Sequence, residues 1–237
     1  MSVEQPHLKG KRSEGHLPRF LIAFIVLFLG GFVCEIHAQD SASDSISTPF
    51  RKGRWLSGLN GSFSSATLKV ESTENLISNN AYGLGIFTGT FIKDRWFVGF
   101  NIFAESSSGR GLIDRETEAL LIGPSATYYF LDETYGSLYL SVLPGYLRVR
   151  ESNSFEFENQ VFRETFEGPG FGARMRLGFA YVISDRIVLD VGVGSTLAWV
   201  ETTFSSDIRG NSRNQSIFSN STFFTFGFNV LLDEFFF

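Results

Sequence analysis

Large apolar side chains occupy every second position through most of this chain, with glycine or polar residues between them. In residues 172–182 (GARMRLGFAYV), Ala173, Met175, Leu177, Phe179 and Tyr181 fall on one face, and Gly172, Arg174, Arg176, Gly178 and Ala180 on the other. A period of two predicts a strand. Two arginines with only glycine and alanine beside them make a poor core for a water-soluble sheet. They suit a barrel turned inside out, with its apolar face in lipid and a polar, packed lumen.

The same reading from residue 53 onward predicts eight strands, at about 53–70, 81–92, 96–105, 117–130, 136–150, 164–183, 187–201 and 221–232. The outward faces are Trp55, Leu59 and Phe63; Tyr82, Leu84, Ile86 and Ile92; Trp96, Val98, Phe100 and Ile102. They continue with Leu120, Ile122, Pro124, Ala126, Tyr128 and Phe130, then Leu138, Leu140, Val142, Pro144 and Tyr146. Ile187, Leu189, Val191, Val193, Leu197 and Trp199 mark the seventh strand, and Phe224, Phe226, Phe228, Val230 and Leu232 the eighth. The weak pattern at 64–67 (SSAT) suggests a bulge in the first strand.

The links at 93–95, 131–135 and 184–186 are short, whereas those at 71–80, 106–116, 151–163 and 202–220 are long and polar. Transmembrane barrels have short periplasmic turns and longer external loops, so this alternation places both termini in the periplasm. Trp55, Trp96, Phe130 and Tyr181 then lie near periplasmic strand ends, and Tyr82, Tyr146 and Trp199 near external ends, as two interfacial girdles would require.

The amino-terminal residues supply the address. Lys9, Lys11, Arg12 and Arg19 precede the apolar run FLIAFIVLFLGGFV at 20–33, and Ala38 offers a small residue before Gln39. This predicts a signal peptide over 1–38, cut after Ala38 and leaving Cys34 unlipidated. An anchor helix would need roughly 20 apolar residues, and Glu35 and His37 interrupt the run. Residues 39–52 are expected to form a flexible periplasmic leader, and residues 53–237 the barrel.

Export changes the available chemistry. All three histidines (His7, His16, His37) and the single cysteine, Cys34, lie before Gln39. The mature chain is left without an imidazole or a thiol for nucleophilic catalysis, metal ligation or a disulfide. It keeps 16 basic and 22 acidic residues, and no basic patch suggests nucleic acid. Of 27 phenylalanines, 23 remain, as a strand-rich chain favours. The mean hydropathy of +0.05 stays ordinary because each strand alternates.

Four groups of residues invite a chemical reading. Gly168-Pro169-Gly170-Phe171-Gly172 is glycine-rich but has no helix or lysine after it, so lumen-side packing explains it better than a phosphate cradle. Glu151, Glu156, Glu158, Glu164 and Glu167 could gather hard cations, but their spacing is that of solvated link residues. No metal or cofactor is expected. Arg174 and Arg176, facing inward, require partners: Glu105 is expected at about their height, with Asn101, Asp190 and Asn229 lower in the lumen. Lys69, Arg148 and Arg150 face outward above the apolar band, where they could meet lipopolysaccharide phosphates.

With its signal peptide, eight strands, alternating links, Ile122-Gly123-Pro124 leading into Tyr128-Tyr129-Phe130, and terminal Phe237, the chain resembles the small eight-stranded outer-membrane barrels of the OmpA transmembrane-domain and OmpX type. The resemblance is strongest to compact barrel-domain proteins of Gram-negative Bacteroidota and covers about residues 53–237. It implies an all-β, antiparallel up-and-down transmembrane barrel in the bacterial outer membrane, monomeric and assembled by the barrel-assembly machinery. Such a protein would be non-enzymatic, displaying four surface loops in envelope integrity or surface interaction, with outer-membrane lipid and lipopolysaccharide as its partners. A narrow pore for very small solutes is the alternative. An outer-membrane lipid-modifying enzyme would lack the histidine that such barrels generally use, and a soluble lipocalin-like barrel would need the opposite sorting of faces.

Overall fold

The computed structural model describes residues 48–69, 76–110, 114–157, 160–206 and 213–233; the side chains at 66–69, 76–78, 156–157, 160–161, 204–206 and 213–215 are left aside. The expected signal peptide, most of the leader, Glu158 and Phe237 lie outside these residues.

Eight strands follow one another around a closed antiparallel barrel: β1 (Trp55–Lys69), β2 (Leu76–Lys93), β3 (Trp96–Arg110), β4 (Asp114–Tyr129), β5 (Gly136–Phe157), β6 (Gln160–Ile183), β7 (Ile187–Ser206) and β8 (Arg213–Leu232). Each pairs with its sequence neighbours, and β1 closes on β8 from Trp55–Leu232 to Phe63–Phe224. The register around the wall runs from Trp55 through Thr90, Val98, Ala126, Val142, Met175 and Ser195 to Thr222, ten residues short of Leu232. That stagger tilts the strands, and an eight-stranded barrel of this kind has an interior that side chains can fill.

The faces sort as the alternation predicts. Leu84, Ile86, Phe100, Ile102, Leu140, Leu177, Val191, Phe224 and Phe226 stand exposed on the outer wall, while Asn60, Asn101, Arg174, Asp190, Thr225 and Asn229 are buried inside. The aromatic residues expected at the two girdles also point outward, with Trp96 packed against Tyr128 and Trp199 against Phe218.

Three expectations are corrected. The long links are mostly strand. Ser106 through Gly109 pair with both β2 and β4, and only residues 158–159 lie between β5 and β6. Where both faces of a hairpin meet water, the ladder continues without the apolar alternation that marks strands in a sequence. The barrel therefore carries four extended hairpins where four loops were expected. The register of β1 with β2 is unbroken, so the expected bulge is absent there; the irregularity sits between Phe91 and Lys93 on β2.

The third correction concerns the leader. Residues 48–52 pack into the short-turn end of the barrel, Phe50 with no exposed surface, stacked 4.0 Å from the Tyr129 ring. The Arg95 amide donates to the Phe50 carbonyl at 2.7 Å, and the Lys52 amide to Asp94 Oδ1 at 2.7 Å. An apolar ring gains more by entering the barrel mouth, among Phe91, Phe97 and Tyr129, than by staying in water beside a polar leader.

Candidate functional site

From the short-turn end upward, the lumen is filled by four layers. The lowest is aromatic: Phe50, Phe87, Phe91, Phe97 and Tyr129 form a connected cluster with ring separations of 4.0 to 5.9 Å. Below these four layers a charged cluster caps the barrel mouth. Arg54, 2% exposed, donates from Nη1 to the Pro49 carbonyl at 2.9 Å and to Asp185 Oδ1 at 2.8 Å, and from Nη2 to the Asp185 carbonyl at 2.6 Å. Its Nε lies 3.0 Å from Asp233 Oδ1, which also accepts from Arg51 at 2.7 Å. Ser184 and Asp185, with φ of 53° and 56°, make the tight β6–β7 turn that aims the Asp185 carboxylate at Arg54.

Next comes a polar layer. Asp190 on β7 accepts from Asn229 Nδ2 at 2.7 Å and from the Tyr139 hydroxyl at 3.1 Å. Arg176 lies over the Tyr139 ring at 6.0 Å, with one terminal nitrogen unpartnered. Asn101, Asp190, Asn229 and Arg176 line a void of about 10 Å³, room for a single water at most. Asn101 Oδ1 and Asn229 Oδ1 also lack partners, so a water there would have both a donor and acceptors to meet.

Arg174 makes the third layer. It is 3% exposed, with its guanidinium 3.6 Å from the Phe103 ring centre on one side and 3.5 Å from the Phe223 ring centre on the other. Its Nη1 donates to Thr196 Oγ1 at 3.2 Å and lies 3.5 Å from Glu105 Oε2. The two rings owe their places to glycines. A Cβ on Gly83 would sit 2.2 Å from Phe103, and one on Gly194 2.4 Å from Phe223. Above lies an apolar layer of Leu121, Leu143, Leu147, Ala198 and Val200, packed with Phe103.

Of the six polar lumen residues singled out by sequence, Arg174 and Glu105 meet each other, and Asp190 meets Asn229. Arg176 belongs with Asp190 and Tyr139, not with Glu105 as expected, because its side chain turns toward the short-turn end. Asn101 lines the same void. The space around Arg174 is bounded by the Phe103 and Phe223 rings, which the polar lumen expected from sequence did not include. Phe87, Phe91, Phe97, Phe103 and Phe223 fall on the inward side by alternation with Ile86, Ile92, Val98, Ile102 and Phe224, but each lies in a run with apolar residues at consecutive positions, such as FVGFNIF at 97–103, which masks the aromatic filling of the lumen behind the polar and glycine positions.

Outside, Arg148 is ion-paired to Glu167. The guanidinium holds the Glu167 carboxyl below the usual carboxylate range, at the exposed rim above the apolar belt. Arg150 has no ion-pair partner among the described residues, and the Lys69 side chain lies outside them. Glu151 pairs with Arg115 at 3.2 Å. Among the described residues no three metal-ligating side chains converge.

No family model and no curated protein matches the chain. Among solved structures it is similar to the Neisserial surface protein A, at 13% identity over 75% of this chain and 96% of that one, with a TM-score of 0.45. It is also similar to the outer membrane protein OprG from Pseudomonas aeruginosa, at 14% identity over 78% of this chain and 99% of that one (TM-score 0.44), and to the outer membrane protein AlkL, at 12% identity over 82% and 94% (TM-score 0.37).

Proposed function

We propose that this chain is a non-enzymatic integral barrel of the bacterial outer membrane, closed to solutes, that presents four extended hairpins outside the cell in envelope integrity or surface interaction. The observation that carries the reading is the sorting of the wall. Leucine, isoleucine, valine or phenylalanine side chains stand exposed on seven of the eight strands, and Leu120 and Ile122 are half-buried on β4, while the buried charges Arg174 and Asp190 are on the inside. In water that wall would be a very large exposed apolar patch, and in lipid it is matched to its solvent.

Closure is read from the stacked lumen layers. A void of about 10 Å³ is the space left in the polar layer, and above it the Arg174 guanidinium is clasped between two rings. The expected result in planar bilayers is the absence of stable openings in the nanosiemens range. Such openings would overturn the closed reading and promote the narrow pore.

The short turns and the docked segment 48–53 are assigned to the periplasm, and the hairpins to the outside. Cysteine at Ser108 should react with an impermeant maleimide on whole cells, and cysteine at Thr134 should not, with unsubstituted protein as the background for Cys34. Labelling at Thr134 alone would invert the topology. A monomer inserted by the barrel-assembly machinery and surrounded by lipopolysaccharide at its upper rim completes the proposal.

A further inference from the structure

We propose that the β1–β8 seam carries a strand-docking site, an open edge of β8 that takes one extended, uncharged segment of a second polypeptide; this rests on the reading that the hairpins face outside the cell. β1 and β8 pair only from Trp55–Leu232 to Phe63–Phe224. Beyond that point each keeps a single neighbour. β1 runs on to Lys69 against β2, and β8 enters from Arg213 against β7, so among the described residues neither lip of the seam is paired across the gap. The gap spans the level of the external girdle, where Phe218 packs on Trp199, and continues toward the hairpin tips. Ser216 and residues 218–222 are exposed on both faces of β8, although Ala198 and Val200, beside Ser219 and Ile217 on β7, are buried.

Sheets blunt their free edges with charge, proline or a bulge. This edge has none of them. Residues 214–223 (NQSIFSNSTF) and 64–68 (SSATL) contain no charged residue and no proline, and the β7–β8 register runs unbroken from Ile187–Val230 to Phe204–Arg213. The other hairpins differ: β4 carries Asp114, Arg115, Glu116 and Glu118 at the same end, and β6 carries Arg163, Glu164 and Glu167. A flat edge presents backbone N–H and C=O groups at every second residue, and another extended backbone answers that spacing along its whole length. The lack of charge sets the character of the partner. A charged side chain placed opposite Ser219, Asn220 or Ser221 would give up hydration and find no counter-ion there. A second copy of this chain is a poor occupant, because a two-fold axis along the membrane normal leaves both β8 strands running the same way and forbids the antiparallel pair.

The test is amide hydrogen exchange of the full chain in detergent micelles, read by NMR, with a capped heptapeptide of alternating threonine and valine matched to residues 216–222. The same peptide with a central proline is the control. Alternate amides of 216–222 should exchange fast in the free protein and about tenfold more slowly with the first peptide, the factor that one net backbone hydrogen bond gives; the proline peptide should leave them unchanged. Ser219 and Asn220 are adjacent, so one N–H faces β7 and the other faces the gap. One of Ser219→Pro and Asn220→Pro should therefore keep the heat resistance of the barrel and lose the peptide. Unchanged exchange with the peptide, or binding retained by both variants, overturns the proposal, and so does slow exchange in the peptide-free monomer, which would mean a zipped seam. Protection that rises with barrel concentration alone makes a second copy the occupant and overturns the choice of partner. Peptide binding to the purified barrel but not to intact cells supports the edge and overturns the outward placement of the hairpins.

Discussion

Replacing Glu105 by alanine is expected to lower the unfolding free energy of the barrel by about 3 kcal/mol, the lower end of the cost of leaving one partner of a buried ion pair alone. Arg174 is 3% exposed, and its Nε and Nη2 already lack partners, so loss of the carboxylate leaves a buried cation with a single hydrogen bond, donated to the Thr196 hydroxyl. Two effects hold the cost to the low end. Glu105 is 22% exposed, so water can reach the vacated position, and a desolvated cation gains about 2 kcal/mol from an aromatic face. Here it has two such faces. The urea midpoint of the folded form, followed by its resistance to heat in detergent, reads the change. Adding Arg174→Met to Glu105→Ala should recover part of the loss, because a flexible apolar chain can occupy the slot between Phe103 and Phe223. An unchanged midpoint in the single variant would mean that Glu105 does not compensate Arg174.

Phe50→Ala should cost about 3–5 kcal/mol, the penalty for removing a fully buried ring without refilling its space. The ring stacks on Tyr129 and touches the Phe91 cluster. The truncated segment should also become open to proteases added from the short-turn side, and its cleavage rate would be measured beside the midpoint. Full resistance at an unchanged midpoint would mean that segment 48–53 does not depend on this ring. Phe50→Leu, which keeps much of the apolar volume, should restore most of both properties.

The wall was legible in the sequence because a lipid-facing strand must be apolar on one side, and that demand writes itself as a period of two. Met175, Leu177 and Tyr181 against Arg174 and Arg176 are enough to set β6. The lumen was legible only where it is polar. Arg174, Glu105, Asp190 and Asn229 announced themselves by charge or amide, whereas Phe103 and Phe223, inward by alternation with Ile102 and Phe224, hid among apolar neighbours, because a polar lumen was expected to be filled by polar side chains. The hairpins escaped notice because Ser106, Ser107 and Ser108 meet water on both faces and need no alternation. Phe50 escaped because one aromatic residue at the end of a polar stretch has no period at all; the arginines at 51 and 54 and the aspartates at 185 and 233, far apart in sequence, become partners only after closure.

That last cluster couples the two ends of the folded chain. Arg54 takes one partner from the β6–β7 turn and another, Asp233, from just past the final strand. The Phe50 ring and the Lys52 amide find their partners on β2–β4 and on the turn after β2, but the Asp233 carboxylate reaches Arg51 and Arg54 only where β8 has closed on β1. These two arginines thus act as a latch across the β1–β8 seam, and opening that seam should loosen the docked segment.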